Sequence, residues 1–150
     1  MNKRFLEFFE DNPLPEKIII TPDEKLRDVG LSFGKIKYVK DLSHKILNKE
    51  ISFRGIEKKS DEQIIEELIK VKGVGVWTVH MFLIFTLGRP NVLPVGDLGI
   101  KKAIMLNYNL KKMPTEEIVA KISKKNNWSP YNSVAAWYLW KSLEMNPESI

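Results

Sequence analysis

Leu68-Ile69-Lys70-Val71-Lys72-Gly73-Val74-Gly75-Val76-Trp77-Thr78 is the stretch whose reading decides the fold. On its N-terminal side, Ile64, Ile65, Leu68 and Ile69 recur at helical spacing behind Ser60-Asp61-Glu62-Gln63, a capping-box pattern. On its C-terminal side a very apolar segment from Trp77 to about Leu87 reads as a second helix. Two glycines in three residues break the pattern between them. Glycines at 73 and 75 permit positive φ in a tight turn and leave no Cβ between the backbone amides and an approaching anion. The second helix points its N-terminal amides and dipole at the same turn, which favours a phosphate. Such a grip holds DNA without reading its sequence. Lys70 and Lys72 add positive charge beside it. An ordinary αα-turn with glycines accounts for the same residues, so the hairpin alone leaves both readings open.

The same punctuation extends in both directions. Leu6, Phe8 and Phe9 belong to a short apolar helix. Thr21-Pro22-Asp23-Glu24 reads as another capping box, with Gly30 ending the short helix that follows. Ser32 opens a helix with Ile36, Val39, Leu42 and Ile46 on one face, and residues 49–59 read as a loop. Beyond the hairpin, Gly88-Arg89-Pro90-Asn91 turns the chain and Val92-Leu93-Pro94-Val95 is extended. Asp97 starts one helix, Thr115 another, and Ser129-Pro130 the last, which ends near Glu144. No segment alternates with period two for long enough to form a convincing strand. The expectation is an all-α, compact multi-helix domain of seven or eight short helices containing a helix-hairpin-helix motif.

Composition narrows the chemistry. The chain has 150 residues, enough for one domain with a modest core, and 43% of them are hydrophobic, enough to fold. A net charge of +5 favours an anionic partner, nucleic acid being the commonest, although a lysine-rich soluble protein shows the same excess. Having no cysteine, the chain can form neither disulfides nor thiolate zinc sites nor iron–sulfur clusters held by thiolates. His44 and His80 are too few for a metal site and read as structural or surface residues. Met1-Asn2-Lys3-Arg4-Phe5 lacks the apolar run of a signal peptide, and the most apolar stretch, Val74 to Leu87, is too short to span a membrane. A cytoplasmic, nucleoid-associated monomer is the expected setting.

Asp97 is the candidate catalytic group. Its plain role is to cap Leu98-Gly99-Ile100-Lys101, and capping would hold its carboxylate in one orientation. A fixed carboxylate is also what glycosidic cleavage needs. Breaking the sugar–base bond develops oxocarbenium character at C1′, which a nearby negative charge stabilises, and the same group can orient or deprotonate a water. Aromatic residues are the second ingredient, because a target base must leave the duplex and stack in a pocket. Trp77 and Tyr131, each at the start of a helix, suit a pocket rim; Trp137 and Trp140, inside the last helix, read as core. Lys101, Lys102, Lys111, Lys112, Lys124 and Lys125 read as solvated faces that assist DNA binding only diffusely.

The hairpin, then Leu93-Pro94-Val95-Gly96-Asp97-Leu98-Gly99-Ile100, and Trp128-Ser129-Pro130-Tyr131-Asn132-Ser133, in this order, resemble the helix-hairpin-helix DNA glycosylase superfamily. The match is best to its 3-methyladenine DNA glycosylase II branch. Leu26-Arg27-Asp28-Val29-Gly30-Leu31-Ser32 with Lys35, Tyr38, Asp41 and Leu42 is similar to the segment before the hairpin in that branch. The resemblance covers about residues 5–144. It implies that Asp97 is the catalytic aspartate and that Lys70, Lys72, Gly73, Val74, Gly75, Val76 and Thr78 form the DNA-gripping segment. It implies a base pocket walled by Trp77, Met81 and Tyr131, with Met81 where an aromatic is usual. The carbonyls of Ile69, Val71 and Val74 would face a sodium or potassium ion shared with bound DNA; no other cofactor and no iron–sulfur cluster is implied. Trp77 stands where bifunctional relatives carry a Schiff-base lysine, so the implied enzyme is monofunctional. It would hydrolyse the N-glycosidic bond of alkylated bases such as 3-methyladenine in double-stranded DNA, leaving an abasic site. Residues 1–150 would be one such domain, short at the N-terminus, where family members carry a further helix or two and the residue that wedges into the duplex. Two alternatives stand beside it: a catalytically inactive helix-hairpin-helix DNA-binding module, and a structural helical domain with no nucleic-acid role.

Overall fold

The computed structural model describes residues 2–145. Among them the ordered elements are nine α-helices and one 3₁₀ turn: α1 Asn2–Phe8, α2 Pro15–Ile20, α3 Asp23–Asp28, α4 Phe33–Leu47, the 3₁₀ turn Ile56–Lys58, α5 Asp61–Leu68, α6 Val76–Phe85, α7 Leu98–Asn107, α8 Glu116–Lys125 and α9 Asn132–Met145. The all-α expectation holds. No helix among the described residues is long and apolar enough to cross a membrane. Packing divides the chain into two compact units, Met1–Val76 and Trp77–Ile150.

In the first unit, α2 and α3 pack on α4. Phe9, Ile18, Leu26, Val29, Leu31 and Ile36 form the buried cluster, with Phe5 and Val39 against it. Ser32 caps α4 by accepting the Lys35 N–H at 3.3 Å. At α5 the capping box is complete: Ser60 Oγ accepts the Gln63 N–H, and Gln63 Oε1 accepts the Ser60 N–H at 2.9 Å.

Three expectations in this unit are corrected. Helix α2 was not anticipated; its six residues bury only Ile18, too little to show a period. The capping box at Thr21 does not form, because the Thr21 hydroxyl turns back and donates to the Lys17 carbonyl at 2.6 Å, closing α2. The 49–59 loop contains the 3₁₀ turn, entered through Gly55 at φ 70°.

In the second unit α7 packs on α9. Ile100, Ala103, Ile104, Val119, Ala136 and Leu139 are its buried cluster, and Trp128 and Trp140 lie against it. Asp97 and Thr115 cap α7 and α8 as expected, accepting the N–H groups of Ile100 and Ile118. The last helix begins at Asn132, later than Ser129-Pro130. The Tyr131 N–H is taken by the Trp128 carbonyl at 2.6 Å in a turn, and the Ser133 N–H by the Pro90 carbonyl at 2.9 Å. Trp137 is not a core residue: it is half exposed and sets its ring edge-on to Tyr138 at 5.2 Å.

Candidate functional site

The hairpin belongs to the first unit. Gly73 has φ 77°, the left-handed conformation that glycine tolerates best. Its missing side chain has a second use. A Cβ there would lie 2.3 Å from the Tyr38 ring, so the phenol of α4 lies directly on the turn. Asp41, one helical turn on, accepts the Lys72 N–H at 2.9 Å, and the Lys72 ammonium stands 3.9 Å from the same carboxylate. The Val74 N–H closes the turn on the Val71 carbonyl at 3.1 Å. Tyr38 and Asp41 therefore fix the hairpin's shape; sequence reasoning quoted them only as part of a resemblance.

Gly75 differs from the expectation that both glycines supply positive φ. Its backbone is not left-handed, and a Cβ there would meet no atom within 4 Å. What glycine keeps clear at 75 is the space outside the protein. Lys70, Lys72 and Gly75 are exposed. So is Val76, the first residue of α6. The first-turn amides of a helix lack intrahelical acceptors, so this end of α6 can receive an oxyanion. A carbonyl oxygen has two lone pairs, so Val71 retains one beside its bond from Val74. With the carbonyls of Ile69, at the end of α5, and Val74, it is of the hard-oxygen type an alkali cation takes.

Asp97 belongs to the second unit and is 8% exposed. Three N–H groups hold it. The Ile100 amide donates to Oδ1 at 2.7 Å, the Trp140 indole to Oδ1 at 2.9 Å, and the Trp77 indole to Oδ2 at 2.6 Å. All three groups can only donate, so they suit a carboxylate. Trp77 remains 52% exposed in the first turn of α6. The Trp140 ring stacks on Phe85, centroids 5.7 Å apart.

The segment leading to Asp97 is itself pinned. The Ser133 hydroxyl donates to the Arg89 carbonyl at 2.6 Å and accepts the Val92 N–H at 3.0 Å. Asn132 Nδ2 donates to Asn91 Oδ1, and Ser123 Oγ to Asn132 Oδ1, each at 2.6 Å. The start of α9 thus grips residues 89–92, and Asp97 follows with its N–H on the Pro94 carbonyl at 2.9 Å.

The structure joins Asp97 to Trp77, a pocket-wall candidate, and adds Trp140, whose place inside the last helix suggests core. The signal for Trp140 was Gly99. A glycine in the first turn of a helix is a poor helix former, and here a Cβ would lie 3.1 Å from the Trp140 ring and 3.0 Å from Asp97 Oδ1. Met81 is half-buried one turn beyond Trp77, and Tyr131 is largely exposed just before α9. Thr78 is exposed. Lys101 is not a free solvated cation; it lies 3.8 Å from Glu116.

Residues 1–128 match the model of the HhH-GPD superfamily base excision DNA repair protein. YfjP of Bacillus subtilis is 36% identical over 96% of this chain and 52% of its own length. DNA-3-methyladenine glycosylase 1 of Schizosaccharomyces pombe is 37% identical over 89% of this chain and 58% of its own. The solved structure of the Schizosaccharomyces pombe 3-methyladenine DNA glycosylase Mag1 in complex with abasic DNA superposes with TM-score 0.79. It is 38% identical and covers 88% of this chain and 64% of that one. This chain thus spans between half and three-fifths of the length of the two sequence relatives. By the extent of the family match, the chain belongs to the HhH-GPD superfamily of base excision DNA repair proteins.

Proposed function

We propose that this chain is a monofunctional DNA glycosylase that hydrolyses the N-glycosidic bond of alkylated purines in double-stranded DNA during base excision repair. The observation that carries the reading is Asp97: a buried carboxylate held by three N–H donors at a helix start, in a chain of this family. Relatives named for action on 3-methyladenine support the substrate class.

In this reading a damaged base leaves the duplex and stacks among Trp77, Met81 and Tyr131. As the base departs, positive charge grows at C1′. The Asp97 carboxylate stabilises it and orients the water that replaces the base. A purine alkylated at N3 or N7 is already cationic and leaves as a neutral base, so one carboxylate suffices. Trp77 offers no amine for a Schiff base, and the product is an abasic site without strand cleavage. Gly73, Val74, Gly75 and Val76 hold a backbone phosphate, with Lys70 and Lys72 beside them, and Thr78 in the first turn of α6 is a further DNA contact. An alkali ion on the carbonyls of Ile69, Val71 and Val74 would supply further positive charge to that phosphate. The chain acts as a monomer within the nucleoid.

The test is release of free 3-methyladenine from methylated duplex DNA. The parent should release it and Asp97→Asn should lose at least about 100-fold, the scale of removing a group that stabilises developing charge, while duplex binding survives. Salt-sensitive duplex binding by a parent that releases no base would instead mark a catalytically inactive DNA-binding module.

A further inference from the structure

The two oxygens of Asp97 are held differently. Among the described residues, Oδ1 receives two donors, the Ile100 amide from its own helix and the Trp140 indole from α9, whereas Oδ2 receives the half-exposed Trp77 indole. The Ile100 bond is an ordinary helix cap, and by itself it leaves the carboxylate plane free to turn about the Cβ–Cγ bond. The Trp140 bond removes that freedom. Its indole is fixed from three sides: packed on the α7–α9 core, stacked on Phe85, and pressed to the bare backbone of Gly99, where a Cβ would stand 3.1 Å from its Cδ1 and 3.3 Å from its Nε1.

We propose that Trp140 is a positioning residue for Asp97, that Gly99 is the opening through which its indole reaches the carboxylate, and that Oδ2 is the oxygen left to act on the sugar. The inference rests on the glycosylase reading. A rigid donor on Oδ1 sets the plane of the carboxylate and hence where Oδ2 points. It also leaves Oδ2 with one half-exposed partner, which an entering base can displace by stacking on the Trp77 ring. Trp140 acts through Asp97 and touches no reacting atom.

Two variants break the same bond from opposite sides. Trp140→Phe removes the donor and keeps a ring for Phe85; Gly99→Ala leaves the indole intact but sets a methyl 3.0 Å from Asp97 Oδ1 and 3.1 Å from the Trp140 ring, so that carboxylate and indole must move apart by a few tenths of an ångström. Each should lower the single-turnover rate of base release from methylated duplex tenfold or more with KM within twofold of the parent. Gly99→Ala should do so with only a small fall in melting temperature, since the helix propensity that alanine gains offsets part of the weakened bond. Combined, the two should lose little more than Trp140→Phe alone. A parent-like rate for either variant, a loss in KM rather than rate, or additive losses in the double variant overturns the assignment. Indole ¹⁵N–¹H spectra of the free chain test the bond without catalysis. The Trp140 resonance should move in Asp97→Asn and in Gly99→Ala, and its failure to move in either overturns the proposal. A parent that releases no base from methylated duplex sinks the glycosylase reading and leaves these spectra to decide on the Trp140 bond.

Discussion

Gly73→Ala separates what holds the hairpin from what the hairpin holds. At φ 77° an alanine takes on the left-handed penalty, about 1–2 kcal/mol. Its Cβ would also stand 2.3 Å from the Tyr38 ring, well inside contact distance, so ring or turn must move. Overpacking of this kind costs about 1–3 kcal/mol. The sum, about 2–5 kcal/mol, is a large part of the about 5–15 kcal/mol by which domains are stable. In a chain of this length it corresponds to a fall in melting temperature on the order of 10 °C, read by thermal unfolding followed by circular dichroism. Gly75→Ala is the control. Its backbone is not left-handed and the added methyl meets no protein atom, so stability should stay within about 0.5 kcal/mol of the parent. Its duplex affinity should nevertheless fall. The lost contact is to uncharged backbone amides, so the slope of log K against log salt should stay that of the parent. Adding Tyr38→Ala removes the ring, so the cost of Gly73→Ala in that background should shrink to the φ penalty, about 1–2 kcal/mol. A Gly73→Ala protein that melts with the parent, or a cost that Tyr38→Ala leaves unchanged, refutes the packing argument.

Further outcomes follow from the same contacts. Ser133→Ala should destabilise by about 1–3 kcal/mol in denaturant unfolding, because it strips a partner from both the Arg89 carbonyl and the Val92 N–H at a buried position. Burial pushes the Glu67 carboxyl up, but the Lys59 ammonium and the Ser52 N–H outweigh it and hold Glu67 below the ordinary carboxylate range. A depressed folded value stabilises above the unfolded one, about 4.3, and that stability is lost as pH falls through the folded value. Glu67→Gln should therefore lower the melting temperature at pH 7 and flatten its fall on the acid side, checked by melting across pH 3–7.

Elements that declare themselves by a local rule were legible. Ser60 with Gln63, Ser32, Thr115 and Asp97 are caps whose side chains can reach the amides three residues on, and each does so. Where two local rules compete, sequence reasoning failed. Thr21 can cap forward or close the helix behind it, and only the presence of α2, too short to show a period, decides for the second. The site was legible in its own segments and opaque across them. Asp97 and the hairpin glycines carry motif-level signals, whereas Tyr38, Asp41, Ser133 and Trp140 act through contacts 31–44 residues away in the chain, or through a packed ring, and no spacing rule announces those.

One kind of signal does bridge that gap. A glycine in the first turn of a helix costs up to about 1 kcal/mol against alanine, so its presence asks what is gained. At 99 the gain is a hydrogen bond from the Trp140 indole to a carboxylate, of the charge-assisted kind worth about 1.5–3 kcal/mol, which exceeds the cost. At 73 the absent Cβ likewise admits an aromatic ring, that of Tyr38, against the backbone. In both places a locally unfavourable residue marks where an aromatic side chain from elsewhere in the chain comes down on a functional turn. The tryptophan at 140 looked like core because tryptophans in helices usually are. The glycine at 99 had no such ready explanation, and departures of that sort from local consistency are expected at functional sites.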